Sequence, residues 1–600
     1  MMRDTSAANA ARFSPAFNTD WFERPMVRAL VLVALGIAYL APGIVGHDPW
    51  KQDETYTFGI IRHMLGTGDW VVPTNAGLPF LEKPPLYDWV AVAFARLFGG
   101  ILPLHDAARL ASALFAALAF GFTARVARIA TGATRWFDPR VIGPIALCAG
   151  TLVVIKHTHD MMTDVALMAG TAIGFCGLYE LVAALVRGGN PDYRAAVRFG
   201  VGVGISLMSK GLFVPLVFGA TLGVALMLYP ACRTRTCARV LAIAVMACAP
   251  FMLIWPTALY LRSEALFATW FWDNNVGRFF GFSVPMLGAE NDKPLFIWRA
   301  LLTVGFPVGP LAVAAIAGGV LRGWRNPAIS LPIAFAAIGL VVLHVAATSR
   351  QLYILPFVGP LSLIAARSIE RMQARWHAAW DYASRCLFGT FAVLVWCAWF
   401  AMTGDTLPRA IVAWLGAWLP LDWTIPLQPV AICAALMLSA GWFAMLPLLR
   451  SAGPWRGALS WASGAVLAWG LVYTLLLPWL DVAKSYRSVF DDLKVQLAGE
   501  WHKHDCIASP GLGESEAPML DYFAGIRYVP VHEPRASACR WLIVQGVRGA
   551  VPDPGASWAP FWHGARPGDT QEALVVYRAV KREASGVDPA RDTSHQPEGR

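Results

Sequence analysis

The chain has 600 residues, 56% of them hydrophobic and 15% charged, with a formal net charge of +10. Soluble domains carry about 25% charged residues, so the composition excludes an ordinary soluble enzyme. Apolar runs recur at the ~20 residues that a helix needs to cross a hydrocarbon core. They lack the short alternation of a barrel strand, which leaves an all-α polytopic membrane protein.

In chain order, residues 1–26 read as a cytoplasmic tail. Arg3, Arg12 and Arg24 precede a first span at 27–46, and no small-residue cleavage site follows it. Residues 47–106 then form a first outside loop far too long for a connector. It opens with "HDPWKQDETYTF", which concentrates Asp48, Lys51, Asp53 and Glu54 just beyond the span. Further on, Glu82 and Lys83 precede Pro84 and Pro85, which stiffen the backbone at a charged pair. Residues 86–98 read as an amphipathic helix in the membrane interface.

Further spans are expected at 107–124, 141–157, 165–186, 197–209, 211–229, 238–261, 297–320, 328–347, 352–367, 386–403, 428–448 and 458–480, about thirteen in all. The basic residues gather in alternate connections: Arg125, Arg128, Arg135 and Arg140; Arg187, Arg194 and Arg198; Arg233, Arg235 and Arg239. The pattern continues through Arg322 and Arg325, then Arg367, Arg371, Arg375 and Arg385, then Arg450 and Arg456. That is a positive-inside bias. The charge reports topology, not nucleic-acid binding.

The intervening outside connections hold the remaining polar chemistry. In "KHTHDMMTDVAL" (156–167), Asp160 and Asp164 lie four apart and are expected to share a helix face. His157, His159 and Asp160 form a weak candidate set for a divalent metal, because H-x-H-D brings no further ligand. Lys210 sits in "LMSKGLF" between two short apolar runs. Arg278 and Lys293 lie among aromatics in the connection 262–296, and Arg350 and Tyr353 open the span at 352–367. Each residue alone reads as a solvated loop group or an interface anchor. Gathered on one side of one membrane, they read as a site. No glycine-rich phosphate loop is present, which argues against a nucleotide-sugar donor.

Thirteen spans from an inside start place the C-terminus outside. Residues 481–582 change composition and read as a small α/β soluble domain, with "KSYRSVFDDLKVQLAGEW" as a helix and "IRYVPV" and "CRWLIVQG" as strands. Cys506 and Cys539 are the two cysteines of this domain, either a disulfide or two free thiols. Residues 583–600 read as a disordered tail.

Four stretches resemble the GT-C membrane glycosyltransferases, in the branch of bacterial aminoarabinose transferases and protein O-mannosyltransferases. They are "DETYTFGIIRHMLGTGDWVVPTNAGLPFLEKPPLYDW" (53–89), "MTDVAL" (162–167), "LMSKG" (207–211) and "SRQLYILP" (349–356). The resemblance implies a transmembrane catalytic domain over 27–480 and a polyprenyl-phosphate-linked sugar donor. It also implies a lipid or glycan acceptor at the periplasmic face of the bacterial inner membrane, with aminoarabinose-type transfer to lipid A as the leading case. Asp53 matches the family's essential acid, Asp164 an acid of the second outside loop with Asp160 as its rival, Lys83 the lysine of the E-K-P motif, and Tyr353 a tyrosine before the later span. Arg278 is placed by its loop alone, and Glu82, Lys210, Arg350 and Asp160 are read beside it as donor-phosphate or substrate-binding groups. His63 and Thr57 depart from the commonest pattern, where a Glu and a Tyr stand. Two other readings remain open: transfer of another sugar to a protein or glycan hydroxyl, and a transporter of lipid-linked sugar.

Overall fold

The computed structural model describes residues 24–283, 295–403, 410, 425–450 and 452–580; Lys293, residues 1–23 and the tail from 583 lie outside them. The chain divides into two compact units, Met1–Ser485 and Tyr486–Arg600.

The first unit is helical, as the composition demands. Every expected apolar run falls on a helix or a pair of helices. Among the described residues, eight helices are long and apolar enough to cross a membrane, and four shorter apolar helices accompany them. Two expected spans are broken. The run at 141–157 splits at Gly150 and Thr151 into Pro139–Ala149 and Leu152–His157, and the run at 297–320 splits into Phe296–Leu302 and Val308–Ala317. A hydropathy pattern sees an apolar length but not a change of direction within it.

Thr163–Val186 is the axis of the bundle, with 94% of its apolar window buried. It packs most closely on Tyr193–Lys210. The two backbones meet through small residues: a Cβ added at Gly202 would lie 2.1 Å from the amide nitrogen of Gly174. In an apolar solvent such close approach supplies the van der Waals contact that hydrophobic exclusion supplies in water.

The long loop that follows the first span is ordered. Asp53–Thr67 is a helix, Thr74–Asn75 (β1) and Leu78–Pro79 (β2) form a short antiparallel hairpin, and Leu86–Phe98 is the expected amphipathic helix. Its buried face includes Tyr87, Asp88, Ala91, Val92 and Ala95.

In the second unit, the Arg487–Leu497 helix accompanies a five-stranded sheet. The strands are Ile507–Ser509 (β3), Tyr528–Pro530 (β4), Trp541–Val547 (β5), Trp558–Gly564 (β6) and Glu572–Ala579 (β7), in spatial order β4-β3-β5-β7-β6. β3 runs parallel to β4 and β5, whereas β7 pairs antiparallel with β5 and β6. Cys506 and Cys539 are joined as a disulfide, which decides between the two alternatives left by the sequence.

Candidate active site

The consecutive acids Asp53 and Glu54 begin a helix, so their side chains leave about 100° apart around its axis. The placement has opposite consequences for the two. Glu54 turns into the core, where its Oε1 accepts hydrogen bonds from Arg109 Nε and the Met161 amide, both at 2.8 Å. Asp53 turns the other way and keeps 21% of its side chain exposed.

Arg109 is fully buried and is the hub behind the site. Besides Glu54, it donates to Asp106 Oδ1 at 2.8 Å and to the carbonyls of Ile44, His47 and Asp48. Asp48 is in turn tied to the end of the unit, since its amide donates to Asp481 Oδ1 and its Oδ2 accepts from Ser485 Oγ at 2.7 Å. The chain following the first span is therefore held from below by a satisfied buried network.

On the open side, Asp53 Oδ1 accepts from Tyr56 Oη and lies 3.3 Å from Lys83 Nζ. Lys83 Nζ also donates to Tyr56 Oη at 2.5 Å, closing a triangle. Burial alone would raise the Asp53 carboxyl, but Lys83, the Tyr56 hydrogen bond, Lys210 and Arg350 together hold it down at about 2. Burial opposes the Lys83 charge, yet the neighbouring Tyr56 and Asp53 raise its pKa well above the ordinary lysine range.

A second pair lies nearby. Asp164, at the start of the axial helix, accepts from Lys210, whose ammonium sits 3.8 Å from the centre of the Tyr353 ring. Lys210 ends its helix at Gly211, which has φ +71° and lies so close to the next element that a Cβ would fall 1.9 Å from Asn275 Oδ1. That same oxygen accepts from the Leu212 amide. A wide π-helical turn, Thr269–Gly277, carries Asn275 and ends at Arg278. Arg278 grips Glu82 with two hydrogen bonds, 2.6 and 3.1 Å. Burial would raise the Glu82 carboxyl, but this Arg278 fork, with Lys83 and Arg350, lowers it.

Of the nine residues read from sequence as catalytic or substrate-binding, the fold brings together eight: Asp53, Glu82, Lys83, Asp164, Lys210, Arg278, Arg350 and Tyr353. Four cations face three carboxylates. Asp160 is the exception. Met162 is extended and the helix begins at Thr163, so Asp160 and Asp164 do not share a helix face. Asp160 instead lies 2.8 Å from His157 Nδ1. The candidate metal set does not assemble either: the ring nitrogens of His159 lie 2.8 and 2.7 Å from the carbonyls of Ile155 and Tyr39. Among the described residues, no three His, Cys, Asp or Glu side chains form a metal-ligating group.

Sequence reasoning missed Tyr56, Arg109 and Asn275. An arginine inside a long apolar helix is costly unless paired, and Asp106 three residues earlier marked its partner. Tyr56 stands one turn from Asp53, where side chains meet. Nothing in the sequence signalled Asn275.

No family model matches the chain. It is 25% identical over 472 residues to an undecaprenyl phosphate-alpha-4-amino-4-deoxy-L-arabinose arabinosyl transferase of Serratia proteamaculans, spanning 75% of this chain and 76% of the relative. A Pseudomonas aeruginosa protein of the same description is 26% identical over 347 residues, 57% of this chain and 59% of its own length. The crystal structure of ArnT from Cupriavidus metallidurans bound to undecaprenyl phosphate superimposes with a TM-score of 0.63 at 18% identity, covering 93% of this chain and 98% of that one. The chain has the GT-C fold. Within that fold, the Asp53 cluster lies at the start of the long first loop and the Asp164 pair at the start of the axial helix.

Proposed function

We propose that the chain is an inverting glycosyltransferase that moves a sugar from undecaprenyl phosphate to an acceptor at the periplasmic face of the bacterial inner membrane. The arabinosyl transferases among its relatives support 4-amino-4-deoxy-L-arabinose as the sugar and a lipid A phosphate as the acceptor. The alternating arginine-rich connections support the orientation, because they leave the Asp53 loop outside.

The observation that carries the reading is the convergence of Lys83, Lys210 and Arg350 on the partly exposed Asp53, with Arg278 paired to the neighbouring Glu82. In the transfer, an acceptor oxygen attacks the anomeric carbon as its bond to the lipid phosphate breaks. The bonding electron pair leaves with the phosphate, and the single displacement inverts the centre. The cations offset the charge that develops on the departing phosphate.

Asp53 is ionised across the physiological range, and a carboxyl held near pKa 2 is a weak proton acceptor. That favours an acceptor that is already an anion, as a phosphate monoester is, with a second pKa of about 6. Asp53 then orients the sugar and stabilises positive charge growing at its ring. Asp164 holds Lys210 in place beside Tyr353.

The test is transfer by purified protein from undecaprenyl-phosphate-linked aminoarabinose to lipid A, read by mass spectrometry alongside envelopes with and without the gene. Aminoarabinose on a lipid A phosphate supports the reading. A sugar found on a protein or glycan hydroxyl would replace it with the O-mannosyl-type alternative, and lipid-linked sugar that only changes leaflet would replace it with transport.

A further inference from the structure

Tyr56 lies within the 53–89 stretch but is itself given no role there, and it stands beside the position where Thr57 replaces the commoner tyrosine. Its side chain is nonetheless held as firmly as any in the site. It is 4% exposed, its ring stacks on Phe80 with centroids 4.9 Å apart, and the Lys83 ammonium lies 4.9 Å from the same ring centre. Phe80 directly follows the β1–β2 hairpin, which thus places the ring that backs Tyr56.

The direction of the hydrogen bonds matters. Lys83 donates to the Tyr56 oxygen, and Tyr56 spends its only proton on Asp53 Oδ1. Lys83 also donates to that Oδ1. All hydrogen bonds found for the Asp53 carboxylate among the described residues therefore converge on one oxygen. The second oxygen is left for substrate, and rotation of the carboxylate would break two bonds.

We propose that Tyr56 is a positioning residue that fixes the rotation of the Asp53 carboxylate, presenting Oδ2 to the sugar when Lys83 turns to the donor phosphate. The inference rests on the reading of Asp53 as the acid that meets the sugar. As the phosphate draws Lys83 away, Tyr56 becomes the remaining tether of Oδ1. Its hydroxyl thus acts on turnover and not on donor capture. Misplacement of a reacting group by about 1 Å costs on the order of 10²-fold in rate, so the expected effect is large for the loss of one hydroxyl.

The experiment compares wild type with Tyr56→Phe, which keeps the ring, its stack and its cation contact. Phe80→Leu is added to loosen the ring without touching the hydroxyl. Affinity is measured with undecaprenyl phosphate alone, and turnover as sugar release from the lipid-linked donor. Tyr56→Phe is expected to lower kcat about 10- to 100-fold while undecaprenyl phosphate affinity changes less than about threefold. Phe80→Leu should show the same pattern more weakly. Because the Tyr56 bond favours ionised Asp53, removing it should also move the acid limb of kcat/KM to higher pH. Wild-type kcat in both variants would overturn the inference, as would a parallel loss of phosphate affinity, which would make Tyr56 a donor-binding residue. Asp53→Asn in the same assay separates the two levels. If it keeps wild-type turnover, the reading of Asp53 falls; if it is inactive while Tyr56→Phe is unaffected, only the role of Tyr56 falls.

Discussion

Two clusters of opposite charge share one helix start, and they have opposite designs. Behind the helix, Glu54, Asp106 and Arg109 are almost wholly buried and fully matched: the guanidinium finds two carboxylates and three carbonyls. In front, Asp53 and Lys83 keep 21% and 14% of their side chains exposed, and Asp53 has one oxygen to offer. Burial makes an ion pair rigid and costly to break, whereas partial exposure leaves charges free to exchange partners. For the neighbours Asp53 and Glu54, residue type does not decide between an open and a buried acid; helical phase does.

The largest expected effect that separates the clusters comes from the frame. Arg109→Ala leaves Glu54 and Asp106 as buried unpaired charges, at a cost of about 3–5 kcal/mol. Folded, monodisperse protein should fall sharply in size-exclusion chromatography. Protein of normal stability and yield would mean that the hub is not structural. Lys83→Ala, in the open cluster, should leave yield and thermal midpoint intact and weaken undecaprenyl phosphate binding about 10- to 100-fold, the scale of a lost charged hydrogen bond. Unchanged affinity would remove Lys83 from the phosphate site.

The smallest effect concerns Asp88, buried in the amphipathic helix with Oδ1 lacking a hydrogen-bond partner among the described residues. Burial pushes its carboxyl up to about 8, with Lys83 only partly opposing. A carboxyl whose folded pKa exceeds its unfolded value holds its proton better when folded, so its contribution to stability is full below about pH 4 and is lost as pH rises towards 8. Asp88→Asn should therefore raise the thermal midpoint by a few degrees at pH 8 and by less at pH 5. An equal shift at both values would contradict the assignment.

The membrane class was legible because burial in lipid forces long apolar helices, and each run reappears as helix. The kinks at Gly150–Thr151 and Thr303–Pro307 were not, since hydropathy carries length without direction. In the site, the residues carried by motifs, Asp53, Lys83, Asp164 and Tyr353, lie close together in the fold. Asp160 misled because four-residue spacing implies a shared face only within a helix, and the helix begins at Thr163. Arg109 was visible as a charge in an apolar run with Asp106 beside it, but its other four partners come from chain segments that only the fold assembles. Asn275 depends on a π-helical turn, for which the sequence offers no periodic signal.

The central claim is that Asp53 performs the chemistry while Glu54 beside it holds the frame. Turnover of purified Asp53→Asn protein, with its thermal midpoint and undecaprenyl phosphate affinity measured on the same preparation, tests it most directly. The account predicts transfer lowered by at least about 10²–10³-fold, with the midpoint unchanged and the lipid phosphate still bound. Near-wild-type transfer by that variant, or a loss of transfer explained by unfolding, would contradict it.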